Sequence, residues 1–205
     1  MPALPYHSPV ELARIAKDFL NNYHPELKLP IPIEEIVELK MGINVIAVPN
    51  LQKNYDIDAY ITSDFSTIVI DEYCYTHYPY RARFTYAHEV AHIILHQEYY
   101  SQLGISNLED YLLFQNSLIK KENATLNKTL ELQAHGLAAY ILMPQEQFNL
   151  AVDELIPEEM TIEDLSTQDM NQLGRILAEK FYVSDTAVQK HLLKEYPVLK
   201  KNILY

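Results

Sequence analysis

His88-Glu89-Val90-Ala91-His92 lies inside the run Arg81 to His96, where the apolar residues Phe84, Ala87, Ala91, Ile94 and Leu95 recur with a 3.6-residue period. That spacing predicts a buried helix with both imidazoles one turn apart on one face. Two neutral ring nitrogens so placed can grip one metal ion. Glu89, about 100° round the helix from His88, is directed beside the metal, where it can deprotonate a water that zinc acidifies and return the proton to a leaving amine. Burying two His and a Glu among Phe84, Ile94 and Leu95 without partners would cost several kcal/mol, so the helix needs a metal or a hydrogen-bond network. A shuffled chain with the same 8 His contains H-E-x-x-H in roughly 2 cases per 100. Context therefore has to carry the assignment.

A catalytic zinc takes three protein ligands and leaves one position open. The layout H-E-x-x-H-x-x-G-x-x-H is excluded, because Leu95 and Glu98 stand where Gly and His are required. Glu131 is the candidate third ligand: it opens the otherwise apolar helical run Leu132 to Met143. The competing reading is an ordinary first-turn glutamate facing solvent. His96 continues the one-turn spacing, but it lies about 12 Å along the axis from His88. That is too far to share the metal, so it supports a ligand from behind or faces solvent.

Working outward, Ser8-Pro9-Val10-Glu11 reads as a capping box opening a helix with Leu12, Ile15, Ala16, Phe19 and Leu20 on its apolar face. A second helix is expected from Pro32 to Met41, stopped by Gly42, followed by strands at Ile43 to Val48, Asp58 to Thr62 and Thr67 to Asp71. The last two, joined by a short polar turn, predict a small antiparallel sheet. Asp58 to Thr62 could hold an extended substrate by β-addition. Residues 97–130 are weakly patterned and read as an exposed, mobile insertion. Beyond the helix Leu126 to Met143, Thr167 to Phe181 and Ser184 to Tyr196 read as a tight pair of helices. The expected architecture is α+β: a small, twisted, mostly antiparallel three-stranded sheet packed on the two site helices. Residues 1–160 would form the metallopeptidase domain and residues 161–205 a C-terminal helical subdomain resembling a helix-turn-helix.

The chain has 205 residues and a formal net charge of −12, which argues against phosphate-backbone binding as its main activity. Residues 161–205 carry 6 basic and 6 acidic side chains, so the tail helices lack the basic face of a DNA reader. Four glycines in no rich run exclude the common nucleotide-phosphate loops. One cysteine, no long apolar run and an opening Met1-Pro2-Ala3-Leu4-Pro5 unlike a signal peptide predict a cytoplasmic protein that does not span a membrane.

Arg83-Phe84-Thr85-Tyr86-Ala87-His88-Glu89-Val90-Ala91-His92, followed by Glu131-Leu132-Gln133-Ala134-His135 through Leu142-Met143-Pro144, resembles the ImmA/IrrE family of metallopeptidases. The resemblance extends to Leu29-Pro30-Ile31-Pro32 through Val45 and to Leu177-Ala178 through Val183-Ser184, which is most of the chain. It implies a gluzincin-like zinc site with His88, His92 and Glu131 as ligands and Glu89 as catalytic acid/base. The implied activity is narrow, site-specific cleavage of a helix-turn-helix repressor in phage, mobile-element or stress-response control. Two positions depart from the family pattern: Ala91 replaces a usual Gly, and His135 a usual Asn. His135 could orient Glu131 from behind, or join the other three as a fourth ligand and close the site to water. Mn2+ or Co2+ could replace Zn2+. A different class of reading is a non-catalytic, zinc-stabilised regulator, or a toxin/antitoxin component, that acts by binding a partner protein or DNA.

Overall fold

The computed structural model describes residues 5–119 and 123–201. The ends of the two expected domains, the first four residues of the opening segment and residues 120–122 of the expected insertion lie outside the described residues.

Helix α1 (Pro9–Tyr23) starts where the capping box places it, with Ser8 N donating to Glu11 Oε2 at 2.7 Å and Glu11 N to Ser8 Oγ at 3.3 Å. Leu12, Ala16, Phe19 and Leu20 are its buried face. The helix expected from Pro32 to Met41 is instead a short α2 (Ile33–Glu35) running into a π-wound turn, Ile36–Lys40, and ending at Gly42 with φ +69°. The winding widens there while Ile33, Ile36 and Val37 all remain buried.

Strands β1 (Asn44–Val48), β2 (Ala59–Ile61) and β3 (Thr67–Asp71) form one sheet in the order β1-β3-β2. The sheet is mixed, which corrects the mostly antiparallel expectation: β2 pairs antiparallel with β3 (Ala59 opposite Ile70), but β1 pairs parallel with β3 (Asn44 beside Thr67). The reason is the connection. Helix α3 (Leu51–Tyr55) carries the chain across before β2 forms, so the β2–β3 hairpin folds back and its second strand takes the centre beside β1.

Helix α4 (Glu72–His77) is capped by Asp71, whose carboxylate accepts from Cys74 N at 2.8 Å. Helix α5 (Pro79–Tyr100) carries the H-E-x-x-H pentapeptide and is followed by α6 (Leu108–Ile119), α7 (Ala124–Leu142), α8 (Gln145–Leu155), α9 (Thr167–Phe181) and α10 (Asp185–Glu195). Helices α5 and α7 pack along each other, α1 lies on α7, and β2 lies against α5. The described residues of this stretch, 97–119 and 123–130, are not a loose excursion. α5 continues to Tyr100, and α6 buries Tyr111, Phe114 and Leu118, with Phe114 edge-on to Tyr100. Aromatic residues spaced along α6 supply the core contact that the weak overall pattern hides.

Arg83, only 4% exposed, ties the layers together: it donates to Glu34 Oε2 (2.9 Å), to the Ile31 carbonyl (2.6 Å) and to the Tyr182 carbonyl (3.1 Å). One guanidinium thus joins α5 to the α2 segment and to the α9–α10 turn.

Candidate metal centre

The site lies between the edge strand β2, α5 and α7. The one-turn repeat on α5 brings His88 Nε2 and His92 Nε2 to 3.0 Å of each other. From α7, Glu131 places Oε2 3.3 Å from His88 Nε2 and Oε1 3.8 Å from His92 Nε2. One donor atom from each of the three lies within 4.8 Å of the others, and the group could hold a metal ion. Two imidazoles and one carboxylate are a borderline-soft donor set suited to a first-row divalent cation.

Burial and mutual contact divide the protons. Burial alone would lower His88, but the hydrogen bond to Glu131 and the charges of Glu89 and Glu131 outweigh it and raise its pKa. Burial would raise Glu131, yet His88 beside it draws it down. His92 is held well below the usual histidine range by burial, with the neighbouring imidazoles adding to the effect. Glu89, 5% exposed, is pushed up to about 7 by burial and further by the Glu131 charge, against the pull of His88 and the Ile61 backbone N–H of β2.

His135 stands one turn beyond Glu131, with its side chain 57% exposed. Its Nδ1 bonds to the Glu131 carbonyl at 2.9 Å and lies 4.0 Å from the Glu131 carboxylate, and its ring packs 4.5 Å from that of His88. The converging trio does not include it. His96 is buried behind the cluster, its Nδ1 3.0 Å from His92 Nδ1. Solvent exposure, the second option for His96, is thereby excluded.

The cluster opens into a cleft of about 590 Å3 whose wall includes Tyr100, Tyr111 and Asn127. A larger cavity of about 970 Å3 adjoins it and shares Asp58, Arg81, Phe84, Thr85 and His135. The larger space is mostly apolar, and His88, Glu89, His92 and Glu131 line only the smaller one, so chemistry belongs to the smaller. Asp58 and Arg81 pair twice at the shared wall, at 2.9 and 2.6 Å. Tyr100 and Tyr111 are residues that the sequence reading did not single out among 16 tyrosines. The four-residue ladder His88, His92, His96, Tyr100 could have exposed the first. Tyr111 arrives from α6, and no local pattern marks it.

The fold is α+β, and its two central helices present a His-His-Glu cluster that could hold a metal ion beside a buried glutamate. A sequence profile of peptidase M78, described as an IrrE N-terminal-like domain, matches residues 39–193, and the chain belongs to this metallopeptidase family. Among solved structures, a Mycobacterium tuberculosis transcriptional regulator has a similar fold at a TM-score of 0.55 and 15% identity. The match covers 92% of this chain and 47% of that one, so the chain spans about half the length of that regulator. A search of curated proteins finds no match. Among the described residues, no helix is long and apolar enough to cross a membrane.

Proposed function

We propose that this chain is a zinc-dependent endopeptidase of narrow specificity whose substrate is a helix-turn-helix transcriptional repressor in the cytoplasm. The observation behind this reading is the convergence of His88, His92 and Glu131 within one metal's reach, next to a glutamate poised near neutrality. When bound, zinc supplies Lewis-acid polarisation of the scissile carbonyl and of water; manganese or cobalt could serve on the same donors. His88 and His92 offer neutral nitrogens, and Glu131 offers a carboxylate that offsets part of the cation's charge. Glu89 takes the proton of the attacking water and hands it to the departing amide nitrogen; a carboxyl titrating near 7 can do both at neutral pH. His135 steadies Glu131 through the main chain. The substrate runs extended beside the edge strand β2, and side chains flanking its scissile bond enter the apolar cavity. The single cysteine, Cys74, buried with its thiol pushed up to about 11, fits a reducing compartment.

The test is the intact mass of a helix-turn-helix repressor encoded beside this chain, incubated with wild type, with Glu89→Gln and with chelator-treated wild type. Two fragments from untreated wild type alone are expected, and their masses give the cleaved bond. A partner that binds tightly and stays whole would instead support the non-catalytic regulator.

A further inference from the structure

His92 is held from behind by hydrogen bonds that end on a main-chain carbonyl. Its Nδ1 lies 3.0 Å from His96 Nδ1, His96 Nε2 lies 3.0 Å from Gln133 Oε1, and Gln133 Nε2 donates to the Pro5 carbonyl at 2.7 Å. Taken from the far end, each proton has one place. A carbonyl oxygen only accepts, so the Gln133 atom facing Pro5 is the amide nitrogen and the atom facing His96 is the oxygen. That oxygen also only accepts, so His96 carries its hydrogen on Nε2. Both rings are enclosed, His92 at 2% and His96 at 1% exposed, where an ion is costly to bury and the neutral ring is the form held. A neutral imidazole has a single N–H, which leaves His96 Nδ1 a bare acceptor. The proton in the 3.0 Å gap therefore sits on His92 Nδ1, and the His92 lone pair sits on Nε2, the nitrogen facing His88 and Glu131.

We propose that Gln133, anchored by the Pro5 carbonyl and acting through His96, sets the tautomer of His92 and so keeps its Nε2 open to a metal ion. Gln133 and His96 are positioning residues, and the inference rests on the metal reading of the cluster. Two features of the chain support it. The one residue of α5 with non-helical backbone angles is His96 itself (φ −124°, ψ 16°), at the point where the ring meets both His92 and Gln133. His88, by contrast, has a buried Nδ1 with no hydrogen-bond partner among the described residues, so the control acts on one of the two imidazoles. Outer partners of this kind typically contribute 10- to 100-fold in metal affinity.

The test compares wild type, Gln133→Met and Gln133→Glu in zinc competition against a chromophoric chelator, with histidine 15N NMR of each metal-free protein. Methionine keeps the volume and removes the acceptor, whereas glutamate, with its carboxyl protonated toward the Pro5 carbonyl, keeps an oxygen toward His96. The expected results are about 10- to 100-fold weaker zinc binding for Gln133→Met and affinity within a few-fold of wild type for Gln133→Glu. The wild-type spectrum should place the His92 proton on Nδ1, and the Gln133→Met spectrum should show both tautomers. Thermal unfolding of the metal-free variants separates a general loss of stability from lost tautomer control. Wild-type zinc affinity in Gln133→Met, or a proton on His92 Nε2 in the wild type, would overturn the proposal. A wild-type chain that binds no zinc would sink the metal reading, while the nitrogen spectrum would still decide the tautomer.

Discussion

His92 and His191 are each about 2% exposed, yet their surroundings have little in common. Around His92 stand two more imidazoles and the Glu131 carboxylate, with hydrogen bonds leading back into the protein. Around His191 stand Tyr140 and Phe148, edge-on at ring distances of 5.1 and 4.6 Å, and both ring nitrogens are buried without a partner. Burial lowers the His191 pKa to about 3, and the Lys194 ammonium nearby adds to the shift. Among the described residues no carboxylate opposes it, so the ring stays neutral and serves as an aromatic filler between α7, α8 and α10. Burial of histidine is common to both places; convergence of lone pairs is confined to the first, and only convergence can hold a cation.

Substituting each ring by leucine tests this contrast most strongly. His92→Leu should lose bound metal and peptidase activity together, whereas His191→Leu should keep its metal and, lining the apolar cavity, change cleavage only a few-fold, as metal content by plasma mass spectrometry and cleavage assays would show. If His191→Leu also lost metal, the two neighbourhoods would be coupled and the contrast false. Next in size, Glu89→Gln should slow cleavage by about 100-fold or more while leaving metal content unchanged, because the amide cannot take a proton.

A smaller effect is expected in acid. His191 titrates near 3 in the folded chain, against about 6.5 when unfolded. The unfolded state therefore binds the extra proton between those values, so this contribution to stability is complete above pH 6.5 and is lost as pH falls toward 3. The urea midpoint of His191→Leu should drop less than that of wild type between pH 6.5 and 4.5; equal drops would show that this ring is not the one resisting protonation. The smallest change concerns the apolar cavity. Lys190 lines it and is exposed, so Lys190→Ala should leave folding and metal content unchanged and alter the cleavage rate only a few-fold.

Much of the fold was legible from local pattern. The helix Thr167–Phe181 and the strand Thr67–Asp71 have the bounds expected from the sequence. Other features escaped for identifiable reasons. Strand pairing depended on where α3 sends the chain, which no alternation within a strand encodes. α6 is held by aromatic contacts to α5 across a long separation, so its own polarity made it look like surface. In α5 the apolar count misplaced the buried face. Ile94 and Leu95 are only half-buried, while His92, His96 and Glu89 are inside, because polar partners from β2 and α7 receive them.

The candidate site divides along the same line. Residue spacing alone aligned His88 with His92 and turned Glu89 aside from them, since one helix turn is set by backbone hydrogen bonding whatever surrounds it. The sequence also marked Glu131 as an acid at the head of an apolar run. Only the packing of α7 against α5 brought that carboxylate to 3.3 Å from His88, seated Gln133 against His96, and kept His135 half-exposed beside the trio. Those placements depend on how side chains of two distant segments interdigitate. They arise when the helices pack, because neither helix alone contains the partner that satisfies its buried polar groups.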